Sequence, residues 1–171
     1  MGSNKAELMV KGEPAALRTA RELAPHCERV TILGRTPLPP YPFLEDVEEF
    51  AGPLSALTRF VPTADCVFLA SCDMPRFDGQ LVPFFHSLIG DSHSVVPVIS
   101  ESKQPLCALY SAAAWDCLPQ LLSRGRRSMM SWLETLTCRF VTGEDIQAIG
   151  IDPLSLQGAN TPDEWEQLVP E

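Results

Sequence analysis

The segment DCVFLASC, residues 65–72, constrains this chain more than any other stretch. It is short and nearly continuous in apolar residues, the pattern of a strand buried on both faces within a parallel sheet covered by helices. Its surroundings agree. PAALRTARELA at 14–24 places Ala16, Leu17, Ala20, Leu23 and Ala24 on one helical stripe, with Pro14 suited to the first helical position. RVTILG (29–34), SVVPVI (94–99), PLCALY (105–110) and CRFVTG (138–143) read as strands. GPLSALTRF (52–60), the segment at roughly 78–89, AAAWDCLPQLL (112–122) and SMMSWLETL (128–136) read as helices, with Pro83 as a blemish in the second. In TPDEWEQLV (161–169), Thr161 suits the N-cap, Pro162 the first helical position and Glu164 the far side of a capping box. Strands that alternate with helices predict an α/β layer fold with a mostly parallel sheet. In such folds ligands gather beyond the carboxyl ends of the strands.

The chain's 171 residues suit a single domain with a real core. Hydrophobic residues at 45% and charged residues at 20% exclude a disordered or low-complexity protein. There is no internal repeat, and PLPPYP at 37–42 reads as a surface loop rather than a linker. No apolar run approaches the ~18 residues of a membrane span. MGSNKAELMVKGEP holds no apolar core of a signal peptide, so the expectation is a cytoplasmic protein. With 13 basic and 22 acidic side chains the net charge is −9, which disfavours general nucleic-acid binding. A local pocket can still hold one small anion. Cys27, Cys66, Cys72, Cys107, Cys117 and Cys138 form no CxxC pair and lie mostly in apolar runs, the usage of buried free thiols in a reducing compartment.

Chemistry is expected first at Asp73. It ends the 65–72 strand and precedes Met74-Pro75, where a carboxylate can hold a hard cation such as Mg²⁺; a turn aspartate bonding local backbone fits equally. Lys5 can meet a phosphate or be a solvated lysine. Asp46 lies in FLEDVEEFAGPLSAL, an acidic loop that leads to a helix start, where anions are favoured. Asn160 precedes the capped helix as an Asx turn or as a neutral oxygen ligand to the same metal as Asp73. Arg124, Arg126 and Arg127 are the basic cluster, a solvated loop or a phosphate clamp. His26, His86 and His93 lack ligand spacing, and Trp115, Trp132 and Trp165 read as core.

Taken together, MGSNKAELMVKGEP, LEDVEEFAGPLSAL, VFLASCDMP, QPLCALY and ANTPDEWEQL resemble, in order and spacing, the molybdenum cofactor guanylyltransferases of the Rossmann-like nucleotidyltransferase superfamily. The resemblance implies a single nucleotidyltransferase domain over 1–171 with a Rossmann-like three-layer sandwich. It implies Mg²⁺-dependent transfer of GMP from GTP to molybdopterin phosphate, with release of pyrophosphate. Carried over by position, Lys5 would bind the nucleotide phosphates, Asp46 would contact the nucleotide, and Asp73 would hold both metal and nucleotide. Asn160 would be a second metal ligand, and Arg126 and Arg127 would meet the pterin substrate. Transient contact with other molybdenum cofactor proteins and acceptor enzymes is also implied. A related enzyme using CTP, and a non-catalytic binding module, are the alternatives. Two departures stand out. Met1-Gly2 match the last two residues of the family's glycine-rich loop LAGGxSxRMG, so the first strand and paired glycines have no counterpart, and the expectation is a start upstream of Met1 or an unstable, inactive chain. Leu33-Gly34 stand where many relatives carry asparagine.

Overall fold

The computed structural model describes residues 8–46, 52–159 and 161–169. The described chain opens with a two-residue hairpin, β1 (Met9–Val10) and β2 (Glu13–Pro14), then α1 (Ala15–Leu23). The hairpin turn, Lys11-Gly12, has positive φ at both positions, the backbone that matches strand twist in a two-residue loop. Pro14 is the N-cap of α1 rather than its first helical residue. Next come β3 (Ile32–Gly34), β4 (Phe43–Glu45), α2 (Pro53–Leu57), β5 (Cys66–Ala70) and α3 (Leu81–Leu88). Pro83 lies in the first turn of α3, where its missing N–H has no intrahelical partner to lose. β6 (Ser94–Ile99), β7 (Ser102–Lys103), β8 (Cys107–Ser111), α4 (Leu118–Ser123), α5 (Met129–Leu133), β9 (Cys138–Thr142), α6 (Gly143–Ala148) and α7 (Pro162–Leu168) complete the order. The helix expected over 112–122 divides into a 3-10 segment, Ala112–Cys117, and α4, with Pro119 in the opening turn of α4.

The layers are those expected, but the sheet is not mostly parallel. In the five-stranded sheet β5 pairs β8, β8 pairs β6, and β7 pairs β6, all antiparallel; only β6 and β9 pair in parallel. The reason lies in connection length. A parallel return needs a crossover of about a dozen residues or more. Residues 100–106 are too few, so the chain turns at Ser100-Glu101 and β8 runs back between β5 and β6. Before β9 the chain has α4 and α5 to cross with, and there the pairing is parallel.

Each face of this sheet carries its own core. On one side Val95, Cys107 and Leu109 meet Leu81, Phe85 and Ile146. On the other, Val96, Ala108 and Tyr110 meet Leu54, Trp115 and Trp132. Tyr110 stacks on Trp132 with centroids 4.4 Å apart, and Trp115 meets Trp132 edge-on at 5.2 Å. Their polar atoms are satisfied: Trp132 Nε1 donates to Ala114 O, Trp115 Nε1 to Leu57 O, and Tyr110 Oη to Pro105 O. A third cluster, Val10, Ala15, Ala159, Trp165 and Leu168, ties the opening hairpin to α7. All six cysteines are free thiols, and only Cys107 is fully buried.

β5 departs from the expectation of a strand closed on both faces: all five of its residues are only half-buried. Phe68 packs toward one core and Val67 and Leu69 toward the other, so the faces are covered. Exposure enters along the edge. β3 and β4 form a separate parallel pair, and among the described residues no strand pairs with the outer edge of β5. A groove of about 910 Å³ runs between them, lined by Leu33, Phe43 and Leu44 on one wall and by β5 on the other.

Candidate functional site

Asp73 is placed by the strand that precedes it. Beyond Ala70 the chain leaves the sheet, and Met74, buried in the first core, pins the turn from below. The Asp73 carbonyl accepts from Ala159 N–H at 2.9 Å, which brings the segment ahead of α7 alongside. Ser71 Oγ donates to Asp73 Oδ1 at 2.6 Å. Gly158 sits against the carboxylate; a Cβ there would stand 3.4 Å from Asp73 Oδ1, at the short end of ordinary van der Waals contact. Arg76 holds the same region from behind. Its Nε donates to Leu168 O at the end of α7, and it pairs with Asp152 at 3.4 Å.

The carboxylate lines a cavity of about 440 Å³ at the carboxyl ends of β5 and β6. Ser71 and Gly158 lie beside it; Ser100, Ser102 and Gln104 come from the β6–β7 turn and the segment after it; Gln157 comes from the loop before α7. Cys107 also borders the cavity, but its side chain belongs to the first core, and burial holds the thiol well above the ordinary thiol range. The turn itself is unusual. Ser100 and Glu101, neither of them glycine, both take positive φ, of 47° and 63°. Side chains disfavour that conformation, which persists where surrounding structure imposes it.

The described residues hold no cluster of three or more His, Cys, Asp or Glu that would cage a metal by themselves. The donor set nonetheless fits magnesium, which takes oxygen ligands in octahedral geometry and commonly uses one or two carboxylates, the rest being water and substrate phosphate. Asp73 supplies one carboxylate at the cavity wall, beside Ser71 and Gly158.

The other expected residues do not all meet here. Asp46 directly follows β4; its N–H donates to Gly34 O at 2.7 Å, and it is not among the residues lining the Asp73 cavity. Arg124, Arg126 and Arg127 lie between α4 and α5 and do not line it either. Arg126 pairs with Glu134, and the Arg127 carbonyl faces Gly52 at the start of α2, 3.8 Å from where a Cβ would stand. The arginine loop therefore borders the start of α2. Lys5 and Asn160 lie outside the described residues; Asn160 follows Ala159, whose N–H is bonded to Asp73. Sequence reading missed Ser71, Gly158 and Gln157. Gly158, two residues before Asn160, was the available signal, since a glycine beside a candidate ligand marks close approach.

No helix among the described residues is long and apolar enough to cross a membrane. Residues 1–138 match the profile of the MobA-like NTP transferase domain. Over 98% of its length the chain is 30% identical to 91% of a probable molybdenum cofactor guanylyltransferase from Synechococcus elongatus. It is 26% identical, over 97% of its length, to 86% of the molybdenum cofactor guanylyltransferase of Desulfosudis oleivorans. Among solved structures, molybdopterin-guanine dinucleotide biosynthesis protein A from Archaeoglobus fulgidus superposes with a TM-score of 0.81, covering 98% of this chain and 90% of that one at 18% identity. A 2-C-methyl-D-erythritol 4-phosphate cytidylyltransferase from Thermus thermophilus superposes with a TM-score of 0.72 at 15% identity, covering 96% and 91%. A carboxylate at the carboxyl end of a strand, an α/β sandwich and a match over most of the sequence thus converge: the chain belongs to the MobA-like NTP transferase family, a family of nucleotidyltransferases.

Proposed function

We propose that this protein transfers GMP from GTP to the terminal phosphate of molybdopterin, giving molybdopterin guanine dinucleotide and pyrophosphate, in the cytoplasm and with magnesium. The observation that carries this reading is the placement of Asp73 on the cavity at the carboxyl ends of β5 and β6. The names borne by the relatives supply the substrates. Asp73 and Asn160 would hold the metal, and Asp73 and Asp46 would contact the nucleotide. Lys5 would meet its phosphates. Arg126 and Arg127 would serve the acceptor's anionic end, since guanidinium forks match phosphate oxygens. Release of the product to acceptor enzymes would bring transient protein contacts.

In the reaction a phosphate oxygen of molybdopterin attacks the α-phosphorus of GTP. A new P–O bond forms, the bond from α-phosphorus to the bridging oxygen breaks, and pyrophosphate leaves with the electron pair. The attacking phosphate is already an anion, so no side chain has to remove a proton. Bound magnesium supplies charge neutralisation at the phosphate oxygens. The protein's share is positioning. Ser71 holds Asp73 Oδ1, the Ala159 N–H fixes the Asp73 backbone, and Gly158 lies beside the carboxylate.

The test is pyrophosphate release from molybdopterin with GTP or CTP, for the wild type and for Asp73→Ala. GTP turnover that falls by roughly 10²–10³-fold in the variant, a loss typical of removing a key electrostatic group, supports the reading. Preference for CTP would move the protein to cytidylyl transfer, and Asp73→Ala with unchanged turnover would sink the metal assignment.

A further inference from the structure

Arg76 follows Asp73 by three residues, and its guanidinium reaches two points far along the chain. Nε donates to the Leu168 carbonyl at 2.9 Å, and Nη1 meets Asp152 Oδ2 at 3.4 Å. Leu168 closes α7, whose last carbonyls lack intrahelical partners and whose last turn holds no basic residue of its own. Asp152 opens the 3-10 segment Pro153–Leu156, where its Oδ1 accepts from Leu154 N–H at 3.0 Å. One side chain thus ties down the far end of each element that flanks residues 157–159.

Those residues lie against Asp73. Leu156 and Ala159 are buried, in the first and third cores, while Gln157 is exposed and Gly158 has no side chain to pack. Apolar burial is non-directional and leaves the register of such a loop open. Directional contacts set it. Ala159 N–H donates to the Asp73 carbonyl at 2.9 Å, and a Cβ on Gly158 would stand 3.4 and 3.5 Å from Asp73 Oδ1 and Cγ. The energies divide in the same way. The Arg76–Asp152 pair has 34% and 57% of its side chains exposed, and exposed pairs add little to folding stability. The bond to Leu168 is part-buried and charge-assisted, so it fixes direction firmly. The fold itself rests on the three apolar clusters.

We propose that Arg76 is a positioning residue for Asp73: by clamping both Leu168 and Asp152 it seats the loop 157–159 on Asp73, and so holds the carboxylate in the one arrangement that takes up a divalent cation. Arg76 is not among the residues lining the cavity and acts only through that loop. The proposal rests on the reading of Asp73 as the carboxylate that holds magnesium. It adds that the affinity for the ion is set partly outside the cavity, by contacts between the turn after β5 and the last elements of the chain.

The experiment uses the full chain and compares Arg76→Ala, Arg76→Lys and Asp152→Asn with the wild type and with Asp73→Asn. Two quantities are read well below each protein's melting temperature. One is Mn²⁺ affinity, from water-proton relaxation. The other is amide hydrogen exchange at Ala159, with the Ser111 N–H, bonded to His93 O at 2.9 Å, as the control. Arg76→Ala should weaken Mn²⁺ binding about tenfold, the lower end for one hydrogen bond to a charged group. Exchange at Ala159 should quicken while Ser111 holds, the mark of a local opening. Arg76→Lys should regain the melting temperature but not the Mn²⁺ affinity, because an ammonium does not span two partners as a guanidinium fork does. Asp152→Asn should fall between wild type and Arg76→Ala. Should Arg76→Ala fail to fold, the other two variants carry the same readouts. If Asp73→Asn lowers Mn²⁺ affinity and the Arg76 variants do not, the proposal is overturned. Exchange that quickens equally at Ala159 and Ser111 overturns it too, by making Arg76 a stabiliser of the whole fold, and full recovery of Mn²⁺ affinity by lysine overturns the two-point clamp. If the wild type binds Mn²⁺ no better than Asp73→Asn, the metal reading of Asp73 fails instead, and exchange at Ala159 decides the clamp.

Discussion

Strand β5 borders two openings that differ in kind. At its carboxyl end the 440 Å³ cavity is built from residues that follow strands: Ser71 and Asp73 after β5, Ser100 and Ser102 around the turn after β6. Along its outer edge the 910 Å³ groove is built from the strand residues themselves, Cys66 to Ala70, facing Leu33, Phe43 and Leu44. The first is polar, with its backbone tied by specific hydrogen bonds. The second is apolar, and β5 and the β3–β4 pair border it with no described strand pairing the two. The contrast separates a place for chemistry from a place for packing. Polar side chains at strand ends select ligands; an apolar strand edge presents unpaired backbone and oily surface, the features that recruit another strand.

Substitutions should separate the two openings cleanly. Phe68 stacks on Phe85 and tilts against Phe77 from the groove strand. Since it is only half-buried, Phe68→Ala should cost about 2 kcal/mol, below the range for a fully buried phenylalanine. That corresponds to a melting-temperature fall of roughly 4–8 °C, with turnover per folded molecule unchanged. A large loss of turnover at full stability would show that the groove takes part in the chemistry. Gly158→Ala should do the reverse. Its Cβ would touch Asp73 Oδ1 at 3.4 Å, so the carboxylate need shift only slightly and turnover should fall by at most roughly tenfold, about 1.4 kcal/mol of transition-state stabilisation, while the melting temperature moves little. Wild-type turnover in this variant would mean that the carboxylate yields without cost and that its placement is not critical.

The sequence made the strands and the site's main carboxylate legible for the same reason. The apolar run at 66–70 forces a strand, and the first acidic residue beyond it must lie at the sheet's carboxyl end, which is where Asp73 is. SVVPVI occupies 94–99 as read, and Thr161 and Glu164 make the capping box read from their spacing. Sheet direction was less legible, because it is set by how much chain separates two strands rather than by composition. The turn at Ser100-Glu101 carries no glycine or asparagine to announce it. The half-exposure of β5 was hidden too: periodicity reports the faces of a strand, whereas the opening lies on its edge. Gln157 and Gly158 became visible only when the Ala159–Asp73 hydrogen bond joined segments far apart in the chain.

The cavity side also carries an acid-sensitive support that bears on the comparison. At the start of α6, Thr142 N–H and Oγ1 both donate to Asp145 Oδ2, at 2.8 and 2.7 Å. Those bonds, the backbone one foremost, hold the Asp145 carboxyl below its ordinary range. Gly143, beside this cap, faces Ile99 and Pro153, so the helix start packs against a cavity wall and the turn that leads to Gln157. With the folded pKa depressed, the contribution to stability is complete above the unfolded value of about 3.9 and drains as pH falls through the lower folded value. Asp145→Asn should therefore give a small loss of stability near neutral pH and a shallower decline on acidification, both visible in melting temperature measured from about pH 6 down to about pH 2.5. The effect should be the smallest of the series, because the group is fully exposed to solvent. Identical acid profiles for the two proteins would show that this cap does not support the cavity wall, and the acid response would then have to come from carboxylates elsewhere.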